Sequence, residues 1–422
     1  MLFVKVLDKE AYAYFVQSAD KVRSEPITAL AKATHRQTRR SNEQLVLRTI
    51  YEGGPLSRAD VARTTGLTRT TVSDLVEGLI GDALVVETGM GPSTGGKAPI
   101  LLEVPGDARH LVGVDVDRDR LSGIVVNLYG EVIARDSRDL QGRDGAAAMQ
   151  ELEALVVGLT RTAERPLVGV GVGAPGLIDT AAGTVRWAVG LDWRDVPVGE
   201  RLAALTGLPT VVVNDSQAAA MAEWAFGRHD TSSAMVVVKI GEGIGAGIVI
   251  GGRIYTGDDS GAGEIGHTRV IDDGLSCRCG STGCLETVAS LRAVLERAGS
   301  LAQSQTESVL DEIPPTHESL LRAFRAEDVL ARRVVLDSAP PLGRVLGAMI
   351  GTLGARDIVL IGPMTDYGEP WLDRVRAETH RSALPLLVEQ STIHVGNTGA
   401  DAVELGAAAM LMTSELGLAL AA

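Results

Sequence analysis

From Ser41 onward, apolar residues recur at helical spacing. Leu45, Val46, Leu47, Ile50 and Tyr51 form one face behind a Ser41-Asn42 cap, and Gly53-Gly54-Pro55 stops the run. Ser57 opens a second helix, with Asp60 three residues on completing a capping-box pair. That helix carries Ala59, Val61 and Ala62 and ends at Gly66. Thr68 caps a third, which sets Val72, Leu75, Val76, Leu79 and Ile80 on one face and Arg69, Thr70, Thr71 and Ser73 on the other. The period then changes. Leu84-Val85-Val86-Glu87 and Ile100-Leu101-Leu102-Glu103 read as strands, joined by a glycine-rich turn from Thr88 to Lys97.

Two short helices joined by a glycine turn, the second opening on small polar residues and an arginine, make a helix-turn-helix, and the two strands give it a wing. Serine and threonine can bond phosphates or base edges, and arginine can fork onto guanine. The candidate DNA contacts are Ser57, Thr68, Arg69, Thr70, Thr71 and Ser73, with Lys97 on the wing.

Past residue 108 the patterning turns to β-hairpins. Val112 to Val116, a turn at Asp117-Arg118-Asp119-Arg120, and Leu121 to Leu128 form one. Ala234 to Ile240, a turn at Gly241–Gly245, and Ala246 to Ile250 form another. A repeated lobe with two facing hairpin turns is the plan of the actin-like (ribonuclease H-like) ATPases, whose turns hold nucleotide phosphates through backbone N–H groups. Between the hairpins, a glycine-proline loop (171–179) follows a strand at 167–170. A second strand, 209–213, ends in Asn214-Asp215 ahead of a helix, Gln217 to Phe226. A carboxylate at the C-terminal end of such a strand sits where ligands bind, so Asp215 either accepts the proton of a ligand hydroxyl or caps the helix.

This gives an α/β chain in three parts: an extension at 1–40 without a motif, a winged helix-turn-helix at 41–104, and a two-lobed body at 108–422. Composition sharpens the picture at three points. Hydrophobic residues make up 45% of the 422, enough for a large core and against disorder. The most apolar run, Ala234 to Gly252, is broken by Lys239 and Glu242, so no transmembrane helix is expected. Lys5, Asp8, Lys9 and Glu10 rule out a signal peptide, and a cytoplasmic location with no membrane contact follows. The net charge is −14, yet residues 31–100 hold nine Lys/Arg against seven Asp/Glu. A near-neutral module on an acidic body can bind DNA with one face while the body repels it elsewhere.

All three cysteines, Cys277, Cys279 and Cys284, fall within eight residues, shortly after Gly263-Glu264-Ile265-Gly266-His267. In a cytoplasmic chain that spacing points to metal rather than disulfides, and His267 completes a Cys₃His set suited to structural zinc. The loop 264–286 would then be pinned with Glu264 and Glu286 beside the ligand cleft.

Taken together, these residues resemble the ROK family of repressors, open reading frames and sugar kinases. The match runs over about residues 40–422 and is carried by the 263–267 motif and by Cys277-Arg278-Cys279-Gly280-Ser281-Thr282-Gly283-Cys284-Leu285-Glu286. The N-terminal module is similar to that of the regulator branch, which includes the xylose and N-acetylglucosamine repressors. The resemblance implies an actin-like fold, bound zinc, a homodimer or homotetramer, and a sugar or sugar-derivative effector. It also implies sugar-contacting roles for Asn214, Asp215, Glu264, His267 and Glu286, with Asp215 in the place of the kinases' catalytic base.

Against the family's kinases the chain departs at the phosphate turns. Where they read Asp-Ile-Gly-Gly-Thr-Lys, this chain reads Asp115-Val116-Asp117-Arg118-Asp119-Arg120. Where they read Gly-Thr-Gly-Ile-Gly, it has Gly241-Glu242-Gly243-Ile244-Gly245, and their adenosine-side Gly-Gly pair appears as Gly362-Pro363. Three carboxylates would face the polyphosphate, and one like-charge pair at about 4 Å costs on the order of 4 kcal/mol at an effective dielectric near 20. Their Pro-Asn-Leu-x-Trp segment appears as Val189-Gly190-Leu191-Asp192-Trp193, without the asparagine. The expectation is a regulator, a repressor of carbohydrate genes that binds an inverted-repeat operator and a sugar, with ATP binding and kinase activity lost. The alternative is an active ROK sugar kinase carrying a DNA-binding module. A protein partner as controlling ligand is a third reading.

Overall fold

The computed structural model describes residues 35–92, 98–227, 234–303 and 314–418. The chain divides into two compact units, 1–44 and 45–422. Helix α1 (His35–Gly53) begins upstream of the expected Ser41-Asn42 cap, so those two residues and the boundary drawn at 40/41 lie inside a helix. The stretch before Ser41 has no apolar period, but its arginines and glutamine are good helix formers and need no core face to extend the helix.

Within the larger unit, Leu47 and Ile50 of α1 pack with helices α2 (Arg58–Thr65) and α3 (Arg69–Gly81) through Val61, Val72, Val76 and Leu79, all fully or almost fully buried. Strand β1 (Leu56–Ser57) pairs with β3 (Ile100–Glu103), which pairs with β2 (Val86–Met90). Leu84 and Val85, expected as strand, instead close the preceding helix. Their amides both bond the Leu79 carbonyl, so the strand begins at Val86.

The body holds two five-stranded sheets. The first has order β11-β7-β4-β5-β6, built from β4 (His110–Val116), β5 (Arg120–Asn127), β6 (Val132–Asp139), β7 (Leu167–Ala174) and β11 (Thr210–Asn214). A small sheet, β8 (Leu177–Asp179), β9 (Thr184–Ala188) and β10 (Trp193–Val196), stands beside it. The second large sheet has order β14-β13-β12-β15-β16, from β12 (Ala234–Ile240), β13 (Ile244–Ile250), β14 (Arg253–Ile254), β15 (Asp357–Ile361) and β16 (Thr392–Val395). In each sheet an antiparallel hairpin is extended by parallel strands, the repeated-lobe plan expected from sequence.

Four helices of the body bear on function: α4 (Gly145–Thr162), α5 (Asp215–Phe226), α6 (Val329–Leu353) and α7 (Ala402–Leu416). Helix α7 lies on β4, β7 and α5 at backbone contact. A Cβ on Gly113 would stand 2.0 Å from the Glu404 carbonyl oxygen, and one on Gly406 would stand 1.6 Å from that of Ala218 in α5. Glycine alone admits that approach. No helix among the described residues is long and apolar enough to cross a membrane.

The DNA-module fold is not hung on a loose string. Tyr51 of α1 stacks on Tyr129 at 5.3 Å between centroids and donates its hydroxyl to the Leu128 carbonyl at 2.6 Å. Tyr129 in turn donates to the Val104 carbonyl at 2.8 Å, and Arg109 reaches the Asp82 carbonyl at 2.6 Å. One hydrophobic cluster runs from Val46 and Val76 through Leu128 to Leu411 and Met412 of α7.

Candidate functional site

The helix-turn-helix is set by the local chemistry the sequence advertised. Ser57 Oγ accepts the Asp60 amide at 3.2 Å while the Asp60 carboxylate accepts the Ser57 amide at 3.1 Å, completing the capping box. Gly66 takes φ of 71°, which closes α2, and Thr68 Oγ1 accepts the Thr71 amide at 3.2 Å to open α3. Thr68, Arg69 and Thr70 are exposed at the start of α3, and Thr71 and Ser73 are half-buried. Ser57 is a correction: it is buried, its hydroxyl is engaged by Asp60, and so it serves the fold rather than a DNA-facing surface. Lys97 lies outside the described residues.

In the body, His267, Cys277, Cys279 and Cys284 bring their four donor atoms within 4.8 Å of one another. Cys277 Sγ lies 3.5 Å from His267 Nδ1, and Cys279 Sγ lies 3.8 Å from Cys284 Sγ. A tetrahedral ion with metal–sulfur bonds of about 2.3 Å needs sulfurs about 3.7 Å apart, so this cluster could hold a metal. The sequence assigns His267 to both metal and sugar, and its two ring nitrogens face different groups. Its Nδ1 faces the sulfurs while Nε2 lies 3.9 Å from Glu264 Oε2.

The candidate sugar contacts Asn214 and Asp215 sit at the N-terminus of α5. Asn214 caps that helix, its Oδ1 accepting the Ser216 and Gln217 amides and its Nδ2 donating to the Gly176 carbonyl. Cap and carboxylate are therefore adjacent residues: Asn214 takes the capping role, while Asp215 Oδ1 accepts the Ser216 amide at 2.7 Å and its Oδ2 is left for a partner across the lobes. Asp215 Oδ2 accepts from Lys239 Nζ at 2.8 Å across the lobes, an ion pair the sequence pattern did not reveal. Burial alone would pull the Lys239 ammonium down, but Asp215 and Asp115 outweigh it and hold its pKa well above the ordinary lysine value.

Burial, with the Asp215 and Glu286 charges beside it, pushes Glu264 up to about 7. Glu286 is buried and accepts from Arg278 at 3.3 Å and Arg292 at 3.4 Å. Its carboxylate also leans on the second hairpin turn, 2.8 Å from where a Cβ on Gly243 would stand. Asp115 carries an oxygen, Oδ1, sealed from solvent without a hydrogen bond, and burial pushes its carboxyl up to about 8 against the pull of Lys239.

Asp115 yields a prediction about stability. Between about pH 4 and 8 the folded chain keeps a proton there that the unfolded chain releases, so this group's contribution falls as pH rises. Asp115→Asn should therefore gain on the wild type as pH goes from 5 to 8, with a slope on the order of 1 kcal/mol per pH unit. Urea unfolding at three pH values reads this directly, and a pH-independent difference sinks it.

With this geometry in place, the comparisons with known proteins are unambiguous. The ROK family pattern matches residues 111–414. The chain belongs to the ROK family. It is 30% identical over 392 residues to the xylose repressor of Caldicellulosiruptor bescii, covering 90% of this chain and 98% of that one. A ROK family transcriptional regulator, described as a homologue of the Escherichia coli MLC protein, superposes with a TM-score of 0.81 at 25% identity over 90% of this chain and 98% of its own. A ROK glucokinase from Streptomyces griseus, solved with glucose and AMPPNP, has a TM-score of 0.64 at 28% identity but covers only 71% of this chain, and 98% of its own. The regulator matches extend over 90% of this chain, whereas the glucokinase match stops at 71%, a length that the body alone accounts for.

Seen as a ROK body, the two phosphate turns are both present as hairpins and both filled with acids. Asp117 folds back to accept the Arg118 amide at 2.5 Å, and Glu242 stands on the opposite turn. Burial, then Asp117 and Asp119, hold the Glu242 carboxyl above its usual range. Trp193, in the segment that lacks the ROK kinases' asparagine, is buried and donates to the Gly145 carbonyl, so it belongs to the core of the first lobe. Sequence reasoning missed Lys239, Arg278 and Arg292. The one available signal for Lys239 was a charge inside an otherwise apolar strand.

Proposed function

We propose that this ROK protein is a cytoplasmic, DNA-binding transcriptional regulator, a repressor of carbohydrate genes, that responds to a sugar or sugar derivative in the body cleft. The carrying observation is the exposed start of α3, Arg69 and Thr70, on a module whose core is continuous with that of a sugar-kinase-like body. Arg69, Thr70, Thr68, Thr71 and Ser73 form the DNA face, with Lys97 as wing cation. Two such modules in a homodimer or homotetramer would read an inverted repeat, whose half-site spacing follows the geometry of the assembly.

In the cleft, Asp215 accepts a hydrogen bond from a sugar hydroxyl, flanked by Glu264, Glu286 and the Nε2 side of His267, while Asn214 holds the helix that presents Asp215. Zinc suits the Cys₃His donor set and would be held by His267, Cys277, Cys279 and Cys284. It would supply folding energy to the loop that bears Glu264 and Glu286. A sugar shifts DNA affinity only if it binds the two lobe arrangements unequally. The protein is not an enzyme on this reading. Asp215 is already held by Lys239, and carboxylates stand in both phosphate turns.

The test is selection of genomic fragments by the purified, zinc-loaded protein, followed by sequencing. Enrichment of an inverted repeat upstream of transport or sugar-metabolism genes is expected. Folded protein that enriches nothing at low salt, with or without sugars, overturns the reading and turns the search to a protein partner. On the selected site, Arg69→Ala should weaken binding by about 1–3 kcal/mol and relax sequence preference. An equal loss on random DNA would make Arg69 a phosphate contact instead.

A further inference from the structure

The charges lining the cleft discriminate among sugars, an inference that rests on the sugar-responsive reading above. On the two hairpin turns that stand where the ROK kinases have their phosphate turns, Asp117 and Asp119 lie on one and Glu242 on the other, near enough to feel each other's charge. Asp115 lies behind them, close enough to Asp117 and Asp215 to feel both. Most of the cations around this end are engaged. Lys239 holds Asp215, Arg278 and Arg292 both hold Glu286, Arg292 also reaches Glu296 at 3.1 Å, and Arg120 donates to Ser137. Arg118 is exposed, and its side-chain stem runs past Gly190.

We propose that this cleft takes an uncharged sugar and rejects the same sugar once phosphorylated, with Asp117, Asp119 and Glu242 setting the preference. A hydroxyl can donate to Asp215 and to the acids of the turns, and the Lys239 ammonium has N–H directions beyond the one that meets Asp215. A phosphate dianion offers acceptors only. It would meet carboxylates on both turns, Asp117 and Glu242 half-buried and Asp119 exposed, and partly desolvated like charges repel more strongly than they do in water. The Lys239–Asp215 pair adds to this, because the Asp215 carboxylate offsets the charge of the half-buried Lys239 ammonium that could otherwise have drawn an anion in. A regulator built this way responds to a sugar as it arrives rather than to the product of the phosphorylation that consumes it.

The experiment uses full-length, zinc-loaded protein and calorimetric titration. The probes are D-xylose, D-glucose and N-acetyl-D-glucosamine on one side, with D-glucose 6-phosphate and inorganic phosphate on the other. The wild type is expected to bind at least one neutral sugar and neither phosphate compound. In D117N/D119N/E242Q, affinity for glucose 6-phosphate or phosphate should rise by at least about tenfold, with neutral-sugar affinity little changed. Asparagine at 117 keeps the oxygen that accepts the Arg118 amide, and Asp117→Asn alone, with a smaller gain, serves if the triple variant does not fold. A phosphate ester that binds wild type as tightly as its parent sugar overturns the proposal, as does a folded variant that gains no phosphate affinity. Failure of every neutral sugar, with the phosphate gain intact, instead overturns the sugar-responsive reading and leaves the exclusion standing.

Discussion

Replacing Cys279 by serine should leave the purified protein without its zinc and lower the stability of the body by several kcal/mol. Structural zinc contributes about 10–16 kcal/mol to the folding of small zinc-finger peptides. Here the four donors hold a loop on an already folded body, so part of that energy is at stake. The three cysteines and His267 tie residues 264–286 together alongside backbone bonds such as Val270 to Gly283 and Leu285 to Thr268, beside a turn where Ile271, Asp272, Asp273 and Leu275 are exposed. Elemental analysis and a thermal scan of the same preparation decide the matter. Full metal content with an unchanged melting curve would falsify the Cys₃His assignment. Because Glu264 and Glu286 flank the loop, the variant should lose its response to sugar together with its metal.

Gly406→Ala should destabilise the body by about 3 kcal/mol or more, at or beyond the upper end of the usual overpacking range. The added carbon would stand 1.6 Å from the Ala218 carbonyl oxygen, and the atom in the way is backbone, so the two helices α5 and α7 have to part. Gly351→Ala is the matched control. It too is a helical glycine, it is exposed, and a Cβ there meets nothing within 4 Å. That change should be neutral or stabilising by up to about 1 kcal/mol, from helix propensity alone. Urea unfolding of the pair separates the two cases, and equal stabilities would mean that the close approach of α7 to α5 is not as drawn. Since Asp215 opens α5, the Gly406 variant should also bind sugar less well than its remaining folded fraction accounts for.

The parts of this molecule that the sequence made legible are those whose chemistry is local. Ser57 with Asp60, Gly66 and Thr68 each act over three or four residues, and each stands at the helix end that the pattern predicts. The metal loop is similar, with four donors within eighteen residues. Two errors come from the same locality. Ser57 is correctly a cap, and for that reason its hydroxyl is not available to DNA. Helix α1 starts before the Ser41-Asn42 cap that the sequence predicts, because a charged stretch can be helical without an apolar face. The Lys239–Asp215 pair was invisible for the opposite reason. It joins residues 24 apart on different lobes, and no periodicity encodes which strand faces which helix.

The tyrosine pair and the continuous core bear on how such regulators can be rearranged. Tyr51 lies in the first helix and its partner Tyr129 lies past the first hairpin, so the seam between DNA head and body does not follow the chain. A recombination event that exchanged heads at residue 104 or 108 would separate Tyr51 from Leu128 and cut a packed cluster in two. Heads would therefore be inherited with the rim of the body that supports them, and new operator specificities would arise more readily by replacing side chains along α3 than by trading modules.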